Sequence, residues 1–272
     1  MRAFYENRSY NSNLPVVAFE SRRMRFFAHW HEDVELIRVC EGSLLVGINN
    51  ESRVLHQGEL AVCSSGDIHF YDCRDQESIV RIIIFRPELV ESAGGWPRSF
   101  AFSSPFLDEG NELTGRYDAA FDTVRRETEK PDGVSLMLIR SGLMSLCAML
   151  ARLAPTQPLQ PDKAGRGHHR LKGMQDALSF VEGNFTEDIR LQDAAAVANM
   201  SACHFSRLFG SIAGMGFKNY VNQLRINRAE ELLRDSGHSV TEVAYKCGFG
   251  SVRTFNRIYR ASRGLPPSKA RP

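Results

Sequence analysis

Hydrophobic positions along the chain change their rhythm once. Between residues 34 and 85 they come in short runs rich in Val, Ile and Leu: Val34 to Cys40, Ser43 to Ile48, Arg53 to Leu55, Glu59 to Cys63 and Ile79 to Phe85. Glu41-Gly42, Asn49-Asn50 and Ser64-Ser65-Gly66-Asp67 separate these runs. Short apolar runs bounded by turn residues predict strands, and many of them predict a small antiparallel barrel or jelly roll. Beyond Gly110 the repeat lengthens to three and four residues, which predicts helices over residues 114–130 and 133–154. In the second, Leu136, Ile139, Leu143, Leu146, Cys147 and Leu150 form a stripe that Met137, Met144 and Met149 widen. Such a stripe suits packing against the barrel, a partner helix, or both.

Two stretches lack either rhythm. Residues 91–111 are rich in Gly, Ser and Pro and predict a loop, with Trp96, Phe100, Phe102 and Phe106 placed to cover the barrel. Residues 154–169 hold three prolines, two glycines and little that could be buried, which predicts a linker; His168 and His169 read as its solvated end. The expected organisation is a barrel over 1–110, helices over 111–153, a linker over 154–169 and a second domain over 170–272.

That second domain contains one pattern twice. In the first copy Leu191, Ala194, Ala195 and Ala198 are followed by a break at Asn199-Met200-Ser201 and then by Phe205, Leu208 and Phe209. Ser201 is a suitable N-cap, since its hydroxyl can accept from an unpaired N–H of the first turn. In the second copy Ser239 and Glu242 form an S-x-x-E capping box, Gly248 supplies the turn and Ser251 caps the next helix. Between the copies Phe217, Tyr220, Val221, Leu224, Ala229, Leu232 and Leu233 predict one long amphipathic helix. Two helix-turn-helix units held by one helix suit two successive major grooves, ~34 Å apart.

Charge changes the picture in the same direction. Net charge is +2 over 272 residues, yet residues 1–169 carry 19 Lys and Arg against 23 Asp and Glu, whereas residues 170–272 carry 15 against 9. The halves are therefore −4 and +6, and the basic half is the one with the repeated pattern, as phosphate neutralisation requires. A composition that is 43% apolar and 24% charged is ordinary for globular domains and excludes disorder as the default.

The C-terminal region resembles the DNA-binding domain of AraC-type transcriptional regulators. The resemblance rests on Ser201, Phe209, Gly214, Tyr220, Arg225-x-x-x-Ala229-x-x-Leu232-Leu233, Ala244, Gly248-Phe249, Phe255, Arg257, Gly264, Pro267 and Arg271. It departs at Ala270, where the family usually has an aromatic residue. The residues it would turn toward DNA are Ala202, Cys203, His204, Ser206 and Arg207 in the first unit, and Val252, Arg253, Asn256 and Arg257 in the second. Arginine can pair bidentately with guanine and asparagine with adenine, so the second helix is the better equipped reader. The resemblance further implies double-stranded promoter DNA with direct repeats, RNA polymerase as a partner, and a homodimer through the helix around residues 134–152.

One constellation in the barrel half could carry chemistry. His29, His31 and Glu35 stand as H-x-H-x-x-x-E before Gly42, and Gly58, Gly66 and His69 follow at intervals that resemble the two cupin motifs. Alternate strand residues share a face, so His29 and His31 can both point inward. Ser64 and Cys73 stand where proline and asparagine are usual in the cupin motif; neither is a ligand position. Three readings remain open for the quartet: the polar lining of an effector pocket, hydrogen-bonding core histidines, or a divalent metal site suited to Zn, Fe, Ni, Cu or Mn.

The fold class expected is α+β and multidomain: an N-terminal cupin-like antiparallel β-barrel with helices, then an all-α tandem helix-turn-helix domain. The function expected is a DNA-binding regulator controlled by a small-molecule effector, a sugar or related metabolite by resemblance, with no cofactor required. The alternative is a metal-dependent cupin enzyme with an appended DNA-binding domain. No nucleophile, general base or substrate clamp beyond the quartet can be named. Six scattered cysteines without C-x-x-C spacing predict reduced thiols. The N-terminus has no signal-peptide core and no run approaches ~18 apolar residues, so a soluble cytoplasmic protein is expected.

Overall fold

The computed structural model describes residues 14–270 apart from 75, 91–99, 109, 159–160 and 235–236. The chain divides between His169 and Arg170 into two compact units. Trp96, Arg271 and the first thirteen residues lie outside the described residues, as do the side chains of Phe100, His168 and His169.

The first unit is built on a long strand. β1 (Val16–Arg22), β2 (Arg25–His29), β3 (Val34–Ile48), β4 (Glu51–His56), β5 (Leu60–Cys63), β6 (His69–Asp72) and β7 (Ser78–Phe85) pair antiparallel. The turn expected at Glu41-Gly42 is instead an irregularity inside β3: the register against β7 shifts between Val39 and Glu41, and Gly42 takes φ +73°. A bulge with a left-handed glycine bends a strand without ending it. One half of β3 therefore pairs β5 and β7, and the other half pairs β4 and β6.

Successive β3 residues go to different cores. Val34 and Leu36 pack toward the helices, whereas Ile37 and Val39 join Val46, Tyr71, Ile82 and Ile84 in the barrel. Burial on both faces makes the strand read as an unbroken apolar run. The expected loop over 91–111 contains two short strands, β8 (Phe100–Phe102) and β9 (Phe106–Leu107), the latter paired to β5. Phe106 is in the barrel core and Phe102 packs against the helices' core, consistent with a covering role.

Two helices follow, α1 (Asn111–Glu129) and α2 (Ser135–Leu153). Tyr117 of α1 donates to the Leu36 and Arg81 carbonyls, which pins the helix to the sheet. The α2 stripe of Ile139, Leu143, Leu146, Cys147 and Leu150 is buried in this unit's own core, which accounts for most of the pattern that the resemblance assigns to a dimer. Of its large apolar side chains, Leu136, Met137, Leu138 and Leu153 are exposed, as is Val134 just before it. By length and composition α2 could cross a membrane, contrary to the expectation that no run would qualify; four-residue spacing of buried Ile139, Leu143 and Cys147 fits a core helix as well.

The expected linker is structured. Thr156–Pro158 forms β10 against β8, and α3 runs from Pro161 to Asn184. Proline suits the first position of a helix, where its missing N–H costs nothing, so the prolines that read as linker include a helix start.

The second unit comprises the rest of α3, then α4 (Leu191–Val197), α5 (Ala202–Ala213), α6 (Phe217–Arg234), α7 (Val240–Lys246) and α8 (Val252–Arg263). Helix α6 buries different faces along its length. Phe217 and Tyr220 meet Phe209 at ring separations of 5.6 and 5.3 Å, whereas Ile226, Ala229 and Leu233 join Val243, Phe249, Phe255 and Tyr259. Ile226, absent from the sequence stripe, is fully buried because the second of these cores lies on its side.

Candidate nucleic-acid interface and buried histidine centre

The two reading helices, α5 and α8, and the short helix α7 before the second of them are set by local chemistry. Ser201 accepts from the His204 N–H and Asn199 supplies φ +54° in the first turn. In the second unit Ser239 and Glu242 make both bonds of the capping box, at 3.1 and 2.7 Å, and Ser251 accepts from the Thr254 N–H at 3.2 Å. Hydrogen bonding from Ser239 holds the Glu242 carboxyl below the usual range.

Capping fixes which side chains face outward. On α5, Phe205 and Phe209 are buried while Cys203, Ser206 and Arg207 are exposed, with Ala202 and His204 half-buried. On α8, Phe255 and Tyr259 are buried while Arg253, Asn256 and Arg257 are exposed, with Val252 half-buried. Arg260 extends the basic face of α8, a position the sequence reading missed although it follows Arg253 and Arg257 at helical spacing. Arg263 is occupied otherwise: its guanidinium clasps Glu230 at 2.6 and 3.0 Å and Asn227 at 2.7 Å on α6.

The barrel brings His29, His31, Glu35 and His69 together, all 1 or 2% exposed, with one possible ligand atom from each lying within 4.8 Å of the others. His29 ends β2 opposite His69 at the start of β6, Glu35 lies on β3, and His31 sits just past β2 rather than within it. Each imidazole has its Nδ1 against a backbone carbonyl: His29 on Phe27 at 2.9 Å, His31 on Asp33 at 3.0 Å and His69 on Asp67 at 2.9 Å. A carbonyl can only accept, so Nδ1 donates in all three and the Nε2 atoms are left for the centre.

Two of those inward nitrogens converge on Glu35. His69 Nε2 is buried without a hydrogen-bond partner, 3.5 Å from Glu35 Oε2, and His31 Nε2 is 3.0 Å from the same oxygen. Burial, then the neighbouring His69, holds His29 well below the ordinary imidazole value. Burial pushes the Glu35 carboxyl up, but His31's hydrogen bond and the nearby His69 outweigh it and hold the group well below the carboxylate range. A carboxylate among imidazoles whose outer nitrogens are fixed by carbonyls is the donor set of a transition-metal site. These residues fit a divalent ion.

Tyr71, which sequence reasoning missed, donates to Glu35 Oε1 at 3.0 Å. Its signal was its position two residues after His69 on the same strand face. Burial, then Cys63 and Glu35, push its phenol well above the usual value, so it stays a donor. The cysteines are free: Cys63, Cys73, Cys147 and Cys247 are buried and Cys203 is exposed. Burial pushes the Cys147 thiol up to about 12, which makes it unreactive.

Comparison with known proteins covers both units. Residues 16–85 match the cupin domain family and residues 194–272 match a helix-turn-helix domain family. The HTH-type transcriptional activator RhaS of Enterobacter sp. (strain 638) is 22% identical over 269 residues, covering 94% of this chain and 91% of its own. RhaS of Salmonella agona (strain SL483) is 24% identical with the same coverage. Among solved structures, ToxT of Vibrio cholerae O395 aligns at 13% identity and TM-score 0.44, covering 94% of this chain and 96% of that one. The chain therefore joins a cupin domain to a helix-turn-helix domain of the AraC type, and is similar to the transcriptional activator RhaS along nearly its whole length.

Proposed function

We propose that the chain is an effector-controlled transcriptional activator, in which a small polar ligand bound by the N-terminal barrel alters how the basic reading helices engage promoter DNA. The observation that carries the ligand half is the buried His29, His31, Glu35 and His69 centre, with three Nε2 atoms and one carboxylate oxygen turned inward. The quartet holds a divalent metal ion in this reading, and burial of all four at 1 or 2% argues against their lining an open sugar pocket by themselves. When bound, the ion supplies a positive anchor for oxygen ligands of an effector. Tyr71 keeps one Glu35 oxygen occupied and leaves the other for the ion. The active species is a homodimer on direct repeats beside RNA polymerase, with the exposed first turn of α2 as contact.

The same centre favours one second reading, a metal-dependent enzyme joined to a DNA-binding domain. One experiment separates them. Metal content of the purified full chain is measured with His31→Ala and Glu35→Gln as controls, and duplex binding is followed while metal and candidate metabolites are varied. The regulator reading expects about one ion per chain, lost in both variants, and a shift in DNA affinity with ligand. Metal-dependent turnover of a metabolite with DNA binding indifferent to it would replace that reading with the enzymatic one.

A further inference from the structure

The two helix-turn-helix units touch through the segment that leads into the first of them. Arg225, midway along α6, donates from Nε to the Phe185 carbonyl at 2.6 Å and from Nη2 to the Glu187 carbonyl at 2.7 Å. Its guanidinium also lies over the Phe249 ring, 5.8 Å from the centroid, and Phe249 belongs to the core of the second unit. Between the two clasped carbonyls, Thr186 presents its own carbonyl to Gly248 so closely that a Cβ on that glycine would run into it. Gly248 is the turn between α7 and α8. The entry to α4 and the turn before α8 are thus held against one another by a side chain of the helix between them.

The geometry points to Arg225 as a positioning residue that sets the spacing at which α5 and α8 read DNA. Helix α6 by itself fixes a distance, and Phe217 and Tyr220 pack the first unit onto it through Phe209; the freedom left to restrain is rotation of the α4 entry segment against the second unit. Two donors in a rigid planar fork, with a face for an aromatic ring, remove that freedom. Lysine can reach one carbonyl and would leave the other unclasped, the Phe185 carbonyl being part-buried and that of Glu187 exposed. Because successive major grooves repeat at ~34 Å with a fixed twist, a small rotation between the heads misplaces one of them. Arg225 acts in this way as a determinant of operator spacing from inside the protein. This rests on the reading that α5 and α8 enter one duplex.

The test uses the full chain. A randomised duplex pool selects a binding sequence, which is then remade with one to five base pairs inserted between the segments protected by α5 and α8, and with each segment alone. The wild type is expected to lose at least tenfold in affinity on insertion. Arg225→Gln and Arg225→Lys are expected to bind single segments within about twofold of wild type, yet bind the intact site at least tenfold more weakly and discriminate insertions less than threefold. An Arg225→Lys chain with the wild-type spacing profile overturns the proposal, whether or not Arg225→Gln folds. A wild-type chain indifferent to every insertion overturns the two-headed reading itself, and the proposal with it.

Discussion

Arg253 occupies the exposed face of α8 beside Asn256 and Arg257, and its role turns on whether it meets a base edge or a phosphate. If it reads guanine, Arg253→Ala costs about 1 to 3 kcal/mol and relaxes preference at one base pair. Affinities for a set of single-substituted duplexes check this, and an equal loss on all of them assigns Arg253 to the backbone. At the same scale the sequence exposed the histidines and hid what orients them. His29, His31, Glu35 and His69 stand out by type and spacing. The carbonyls of Phe27, Asp33 and Asp67 that turn the Nε2 atoms inward carry no residue-type signal, because every residue has one.

Among the elements, the helix-turn-helix units were legible because capping and turn chemistry are local. Ser201, Ser239, Glu242 and Ser251 make the bonds their spacing predicts. Gly248 and Gly264 both take positive φ, at +81° and +75°, and allow a controlled comparison. Gly264→Ala meets nothing within 4 Å and costs about 1 kcal/mol, the strain of a left-handed alanine. Gly248→Ala adds the collision with the Thr186 carbonyl and lowers the thermal midpoint by at least twice as much; equal shifts in a melting scan would show that the close approach relaxes freely. The elements misread were those decided by distant neighbours. Gly42 looks like a turn in sequence, and becomes a bend within β3 because β7 continues to pair on one side of it.

For the whole molecule, α2 illustrates how a single pattern serves two ends. Its buried stripe belongs to the first unit's core, and the exposed remainder at Val134, Leu136, Met137 and Leu138 is what a second copy could cover. Met137, 72% exposed, makes the clearest probe. Met137→Glu is expected to leave the fold intact and convert a dimer to a monomer in sedimentation velocity; an unchanged sedimentation coefficient would place the dimer contact elsewhere. The charge division, −4 before residue 170 and +6 after it, makes the second unit the one whose binding weakens steeply with salt.

The sequence alone determined what depends on neighbours within a few positions: strand and helix rhythm, the caps of α5, α7 and α8, the exposed Ser206, Arg207, Arg253, Asn256 and Arg257 of α5 and α8, and the four residue types of the buried centre. Tertiary structure decided what depends on groups far along the chain. It placed Tyr71 on Glu35, sent the α2 stripe inward, brought α3 back to Pro161, and joined Arg225 to Phe185 and Glu187, 40 and 38 residues earlier. Periodicity states that a side chain is buried or a glycine bends; only the folded chain supplies the partner atoms, and most of these are backbone carbonyls that no residue code marks.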